Sequence, residues 1–189
     1  VKAHVRRQRE TLAALRRAPV LHVVVVGGVA FGWGTELTLA ADYVIAADGA
    51  RFALPETGLG ILPGAGGSTE LQRRIGPAHA LRLGMTGEAI DAAEAARIGL
   101  VQERCATVDD ALARAMALAR MAATRSPTAL AAFKGAVIDS AGLGWDARRE
   151  LEAVAYERCV DSGDAAIGRA WFAAGGGEAP AWGPRRGGA

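Results

Sequence analysis

The sequence predicts an α/β fold with a helical C-terminal portion, and three observations carry that prediction. In the first hundred or so residues, short β-branched runs alternate with glycine-rich loops and short helical segments. From residue 108 onward only alanine-rich helical patterns occur. The 51% hydrophobic content is ample for a buried core, and the 22% charged content argues against disorder.

The elements follow in order. "KAHVRRQRETLAALRR" (residues 2–17) reads as an amphipathic helix with Val5, Leu12 and Leu15 near one face, stopped by Pro19. Arg6, Arg7, Arg16 and Arg17 read as its solvated face. "LHVVVV" is a buried strand, "GGVAFGWG" a loop, "TELTLAAD" a helix of about two turns. "YVIAA" and "RFAL" are strands separated by a turn at Asp48-Gly49. After a glycine loop, residues 69–75 turn helical and stop at Gly76-Pro77, and residues 78–84 form another short helix. A further helix starts at Asp91, whose spacing to Glu94 fits a capping box, and closes at Gly99. Residues 108–124, 127–139 and 145–160 give the C-terminal helices. The tail "AAGGGEAPAWGPRRGGA" reads as mobile at its end. No internal repeat is legible. Met85 and Met116 are expected in the core, with Trp145 and Tyr156 as candidate contact residues. The domain division expected is 1–107 and 108–189.

Composition excludes several function classes. The net charge of +2 gives no support for a nucleic-acid or acidic-membrane partner. Cys105 and Cys159 lack metal-ligand spacing, and His4, His22 and His79 join no cluster, so no metal site is expected. Reduced cysteines suit a cytoplasmic protein. The longest apolar run, from Val20, is shorter than the roughly 20 residues a bilayer requires.

Two carboxylates stand out. Glu36 lies in the first turn of a helix that follows a glycine loop, where unsatisfied amides and partial positive charge can meet a developing oxyanion. Gly32 and Gly34 allow close approach. Glu56 lies in "ARFALPETGLGILPGAGGST", beside Leu54, Pro55, Leu59, Ile61 and Leu62. Apolar surroundings of that kind raise a carboxylate's pKa toward the range of a general acid or base. A dinucleotide-binding reading of "GVAFGWGTEL" fails for want of the third glycine, and "GAGGST" lacks the lysine of a P-loop.

Together these segments resemble the enoyl-CoA hydratase/isomerase, or crotonase, family. The residues that carry the resemblance are Gly28, Gly32, Gly34 and Glu36, then Phe52, Pro55, Glu56, Gly60, Pro63, Gly64, Gly66 and Gly67, and "TGEAIDAAEAARIGLV" beyond them. The resemblance runs from about Pro19 to the end. It implies a crotonase-like ββα spiral with a helical C-terminal oligomerisation region, forming a homotrimer or hexamer. It implies an acyl-CoA thioester substrate, coenzyme A entering as part of that substrate with no separate cofactor. Glu36 and Glu56 fall at the two family glutamates that hold water and move protons. One oxyanion N–H falls at Trp33, where the family usually has glycine, and Gly64 matches another family site position. Gly32, Gly34, Pro55 and Leu59 are the expected substrate-binding positions. The family's first strands and its other oxyanion donor are expected upstream of residue 1, so the chain alone is expected to be weakly active or inactive. Hydration is the expected reaction. Isomerisation, another acyl-CoA transformation and a truncated inactive subunit are the alternatives.

Overall fold

The structure is a computed structural model that describes residues 2–183. The chain divides into two compact units, residues 2–18 with 22–117, and residues 19–21 with 118–183. The sequence's expected mobile end, residues 184–189, lies outside the described residues.

The first unit winds as a spiral. Helix α1 (Lys2–Arg17) precedes strands β1 (Val23–Val26) and β2 (Val29–Phe31) and helix α2 (Trp33–Leu39). The next turn repeats the pattern with β3 (Tyr43–Ala47), β4 (Arg51–Ala53), a single 3₁₀ turn (Pro55–Leu59) and α3 (Glu70–Thr86). A third, shorter turn holds β5 (Ile90–Asp91), α4 (Ala92–Arg97) and β6 (Glu103–Cys105), and α5 (Val108–Ala123) follows. Corresponding strands stack in two sheets of order β1-β3-β6 and β2-β4-β5. Val23 pairs in parallel with Tyr43, and Val29 with Arg51, so each turn of chain lies in register on the one before it. This is the ββα spiral that the family resemblance implied. It repeats in space without a readable repeat in sequence.

Tertiary pairing explains the local departures from expectation. Residues 29–31 form a strand where a loop was expected, because Ala30 and Phe31 pair with Phe52 and Ala53. The polar β6 was not foreseen, and it exists through its ladder with Ile45, Ala46 and Ala47. Gly76, at φ 79°, kinks α3 at the expected stop, but the helix resumes through Gly84 to Thr86. Asp91 caps α4 by accepting from the Glu94 N–H at 2.8 Å. The Glu94 carboxylate does not complete the capping box. It bonds Arg82 and Arg97 instead, which hold it at about 2.

The core of this unit is one cluster around Val44, Phe52, Leu54, Leu71, Leu100 and Val101, all fully buried. A second, smaller cluster joins Leu12 of α1 to Ala40 and Ala65, with Leu15, Trp33 and Leu37 against it. Met85 and Met116, expected in the core, are 73% and 52% exposed. Arg16 is not on a solvated face. It pairs with Glu70 and donates to the Leu39 carbonyl at 3.0 Å.

In the second unit α6 (Pro127–Asp139), α7 (Trp145–Asp161) and α8 (Asp164–Ala173) pack in succession. Helix α8 was not foreseen. It is tied down by the buried Asp164, which accepts from the Ser126 hydroxyl at 2.5 Å and from the Gly183 N–H at 3.2 Å. Phe133, Val137, Trp145 and Tyr156 line a groove of about 550 Å³ between α6 and α7 and are largely exposed. Among the described residues, no helix is long and apolar enough to cross a membrane.

Candidate active site

The backbone brings the two candidate glutamates together by fastening α2 to the loops that follow β4. The Gly32 N–H donates to the Ala53 carbonyl at 2.9 Å. The buried Thr35 hydroxyl lies 3.0 Å from the same carbonyl and 2.5 Å from that of Ala30. Ala53 ends β4, and the chain reaches Glu56 three residues later. The start of α2 is therefore pinned beside the 3₁₀ turn that carries Glu56.

Gly32 makes the close approach possible. It caps α2 at φ 56° and ψ −121°, a conformation that side chains avoid. A Cβ there would sit 2.9 Å from Glu56 Oε1. Trp33 is the first residue of α2, ahead of the first intrahelical bond from the Glu36 N–H to the Gly32 carbonyl. Its own N–H thus has no helical acceptor. Its indole packs with Leu12, Ala40 and Ala65, and Nε1 is buried without a hydrogen-bond partner. Gly34 follows inside the helix, where a Cβ would meet that of Ala30 at 3.6 Å.

Glu36 is 3% exposed. Its Oε1 accepts from the Ala65 N–H at 2.7 Å and from the Gly67 N–H at 2.8 Å. The glycine loop thus closes over one carboxylate oxygen, whose two lone pairs accept both bonds. Gly67 must be glycine for this closure, because a Cβ would lie 2.3 Å from Pro63 Cβ and 3.2 Å from Glu36 Oε1.

Glu56 is held differently. It is half-buried, and its Oε2 is buried with no hydrogen-bond partner. Burial pushes its carboxyl above the ordinary value, a bond from its own backbone N–H pulls it back, and the charge of Glu36 adds to the rise. Glu36 thus has two N–H donors on one oxygen, whereas Glu56 has a buried oxygen with none. The apolar neighbours expected to enclose Glu56 do not form a closed wall: Leu59, Ile61 and Leu62 are 75%, 57% and 60% exposed, and Pro55 is exposed too. Only Leu54 is buried. Gly64 lies under α1, where a Cβ would meet Val5 at 2.8 Å.

Thr35 and Ala65 were missed as site residues in the sequence, and Gly67 was read as a loop glycine but not as a donor to Glu36. Thr35 looked like an ordinary helix start, and a backbone donor leaves no side-chain signal. Among the described residues, no group of three or more His, Cys, Asp or Glu could hold a metal ion.

A two-sheet ββα spiral with one carboxylate at the start of α2 and another on the 3₁₀ turn before a glycine loop defines the class of fold and site, and comparison with known proteins fixes the family. The family model described as enoyl-CoA hydratase/isomerase matches residues 3–176. A probable mitochondrial enoyl-CoA hydratase 2 of Arabidopsis thaliana is 34% identical over 92% of this chain and 57% of its own length. A probable enoyl-CoA hydratase of Mycobacterium leprae is 48% identical over 67% of this chain and 48% of its own. The crystal structure of an enoyl-CoA hydratase from Bacillus anthracis superposes with a TM-score of 0.90 at 32% identity, covering 96% of this chain and 69% of that one. The chain belongs to the enoyl-CoA hydratase/isomerase family. It spans about half the length of the curated relatives it matches.

Proposed function

We propose that this protein is a hydro-lyase that adds water across the α,β double bond of an enoyl-CoA thioester. The observation that carries the reading is the contrast between the two neighbouring carboxylates, Glu36 held by two N–H donors and Glu56 with a buried, unpartnered oxygen.

The chemistry follows from that contrast. Glu36 takes a proton from water through the oxygen not held by the loop, and the water oxygen bonds the β-carbon. The π electrons move onto the thioester carbonyl. The N–H of Trp33, free of the helix ladder, donates to that oxyanion, and Gly64, on the glycine loop, is a further position of the site rather than the second oxyanion donor. Glu56, kept protonated more readily by its burial, then delivers its proton to the α-carbon. Gly32, Gly34, Pro55 and Leu59 line the approach. Coenzyme A is part of the substrate, and no further cofactor enters.

The test is loss of enoyl-thioester absorbance over a panel of acyl chains. The panel includes acid-terminated chains, because one relative, 43% identical over 62% of this chain, is a 2,3-dehydroadipyl-CoA hydratase of Escherichia coli. Hydration that requires both glutamates supports the reading. A second reading has its own observation: Oε1 of Glu36 is occupied by loop bonds, as a purely structural carboxylate would be. Full hydration by Glu36→Gln with none by Glu56→Gln would favour that one-acid isomerase or hydrolase.

The exposed Phe133, Val137, Trp145 and Tyr156 on α6 and α7 support self-association through the C-terminal helices, as a homotrimer or hexamer. A clean monomer by light scattering at micromolar concentration would exclude it.

A further inference from the structure

One face of α1 is built to hold the glycine loop. Val5, Arg9, Leu12 and Arg16 recur at four-, three- and four-residue steps, which puts them on one stripe of a helix. Val5 packs against Gly64, Leu12 clusters with Ala65, and Arg16 pairs with Glu70 at the start of α3. Arg9 makes the most telling contact. Its Nε donates to the Gly64 carbonyl at 2.5 Å.

That carbonyl belongs to the peptide joining Gly64 to Ala65. The same peptide's N–H, on Ala65, donates to Glu36 Oε1 at 2.7 Å. One rigid amide plane therefore connects the guanidinium on one side with the carboxylate on the other. The second donor to Glu36 is arranged in the same way. Gly67 N–H shares its peptide with the Gly66 carbonyl, which accepts from the Glu70 and Thr69 N–H groups at 2.7 and 3.2 Å. Both peptides that hold Glu36 are thus fixed and polarised from behind, one by the start of α3 and one by Arg9. A donor on a peptide carbonyl strengthens the bond given by that peptide's N–H, and a cationic donor does so most.

We propose that Arg9 is a positioning residue for the reaction, fixing the Glu36 carboxylate through the Gly64–Ala65 peptide. The proposal rests on the reading that Glu36 takes part in the chemistry. A merely structural Arg9 would hold α1 in place and affect substrate affinity, turnover and stability together. A positioning Arg9 affects turnover, and does so only while Glu36 is there to be positioned.

The experiment uses the polypeptide as its reading frame encodes it, with Arg9→Met and Arg9→Lys each made alone and in a Glu36→Gln background. Arg9→Met is expected to lower kcat roughly tenfold, the scale of losing one charge-assisted bond that orients a catalytic group, while KM changes by less than about twofold. Arg9→Lys keeps the charge and recovers part of the loss. In the Glu36→Gln background Arg9→Met costs less than about twofold, because coupled residues do not add. Equal damage in both backgrounds overturns the proposal, as does a rise in KM with unchanged kcat.

A second readout needs no activity. Arg9→Met is expected to shift the Ala65 amide proton upfield and hasten its exchange, leaving the Gly67 amide in place. An unmoved Ala65 amide overturns the proposal. If the unaltered protein hydrates no enoyl-CoA in the panel, the hydratase reading fails, and the two amide signals still decide whether Arg9 acts on the Glu36 clamp.

Discussion

A Cβ placed on Gly32 would stand 2.9 Å from Oε1 of Glu56, although 24 positions separate the two residues in sequence. Gly32 also holds φ 56° with ψ −121°. The start of α2 and the acid-bearing 3₁₀ turn are therefore pressed together at a point where no side chain fits.

Gly32→Ala is expected to cost about 1–3 kcal/mol in backbone strain and to displace the flexible end of Glu56. The displacement matters more than the strain. Moving a catalytic group by about 1 Å can cost about 10²-fold in turnover. Thermal melting and steady-state hydration, measured together, check it. Full activity with lowered stability would mean that Glu56 is not held against Gly32 for catalysis.

Much of this arrangement was legible in the sequence. The glycines at 32, 64 and 67 and the two glutamates were read directly, because glycine and a lone acid in an apolar stretch are chemical signals. The spiral could be read only by resemblance, since its repeat lies in pairings such as Val23 with Tyr43 and not in residue identity. Strand β2 was hidden because three residues between glycines carry no measurable period. Helix α8 was hidden because what fastens it, Asp164 against Ser126, joins residues far apart in sequence. Arg16 looked like surface charge and Arg9 drew no reading at all, since nothing local distinguishes an arginine aimed at a carbonyl from one aimed at water. The expected enclosure of Glu56 by Leu59, Ile61 and Leu62 failed because hydrophobicity does not say which way a loop faces.

Glu36→Gln and Glu36→Ala are expected to part company. The amide oxygen of Gln can still accept from Ala65 and Gly67, so the loop stays closed and the fold is retained. Turnover falls by about 10²–10⁴ for want of proton transfer. Alanine leaves two buried N–H donors unmatched, at about 1–3 kcal/mol each if water does not replace the carboxylate. Denaturant unfolding should separate the two variants clearly. Equal stability would show that the loop does not depend on the clamp.

Asp164 is expected to govern the C-terminal helices. It is 3% exposed and accepts from Ser126 and Gly183, while Ser126 itself caps α6 by accepting from the Ala129 N–H at 3.0 Å. Asp164→Ala should cost about 1–3 kcal/mol and Ser126→Ala about 0.5–2 kcal/mol as a lost cap. The double variant should lose less than the sum, since each single change already breaks the shared bond. Amide exchange at Ala129 provides the local check. Strict additivity would mean that the two residues act separately.

Glu56 gives the prediction with a sign that depends on pH. Its carboxyl is raised by burial and by the charge of Glu36. A carboxyl raised in the folded state holds its proton longer there than in the unfolded chain. The stability it contributes is therefore complete below the unfolded value, near 4.5, and is lost as pH rises through the folded value. Wherever it is ionised the group is a burden on the fold, because its buried Oε2 has no donor. Glu56→Gln removes that burden, with an amide that carries no charge to desolvate. The variant should be at least as stable as the parent at pH 7, and its advantage should shrink as pH falls through the folded value toward 4.5. The same change removes the proton that hydration delivers to the α-carbon, so turnover should fall by about 10²–10⁴. Gain in stability with loss of function at one residue is the mark of a group kept in an unfavourable state for its chemistry. Melting curves from pH 4 to pH 8 on parent and variant, with hydration assays on the same samples, test both halves. A variant less stable at pH 7 than at pH 4.5, relative to the parent, would show that Glu56 is stabilised as an anion and that the acid role belongs elsewhere.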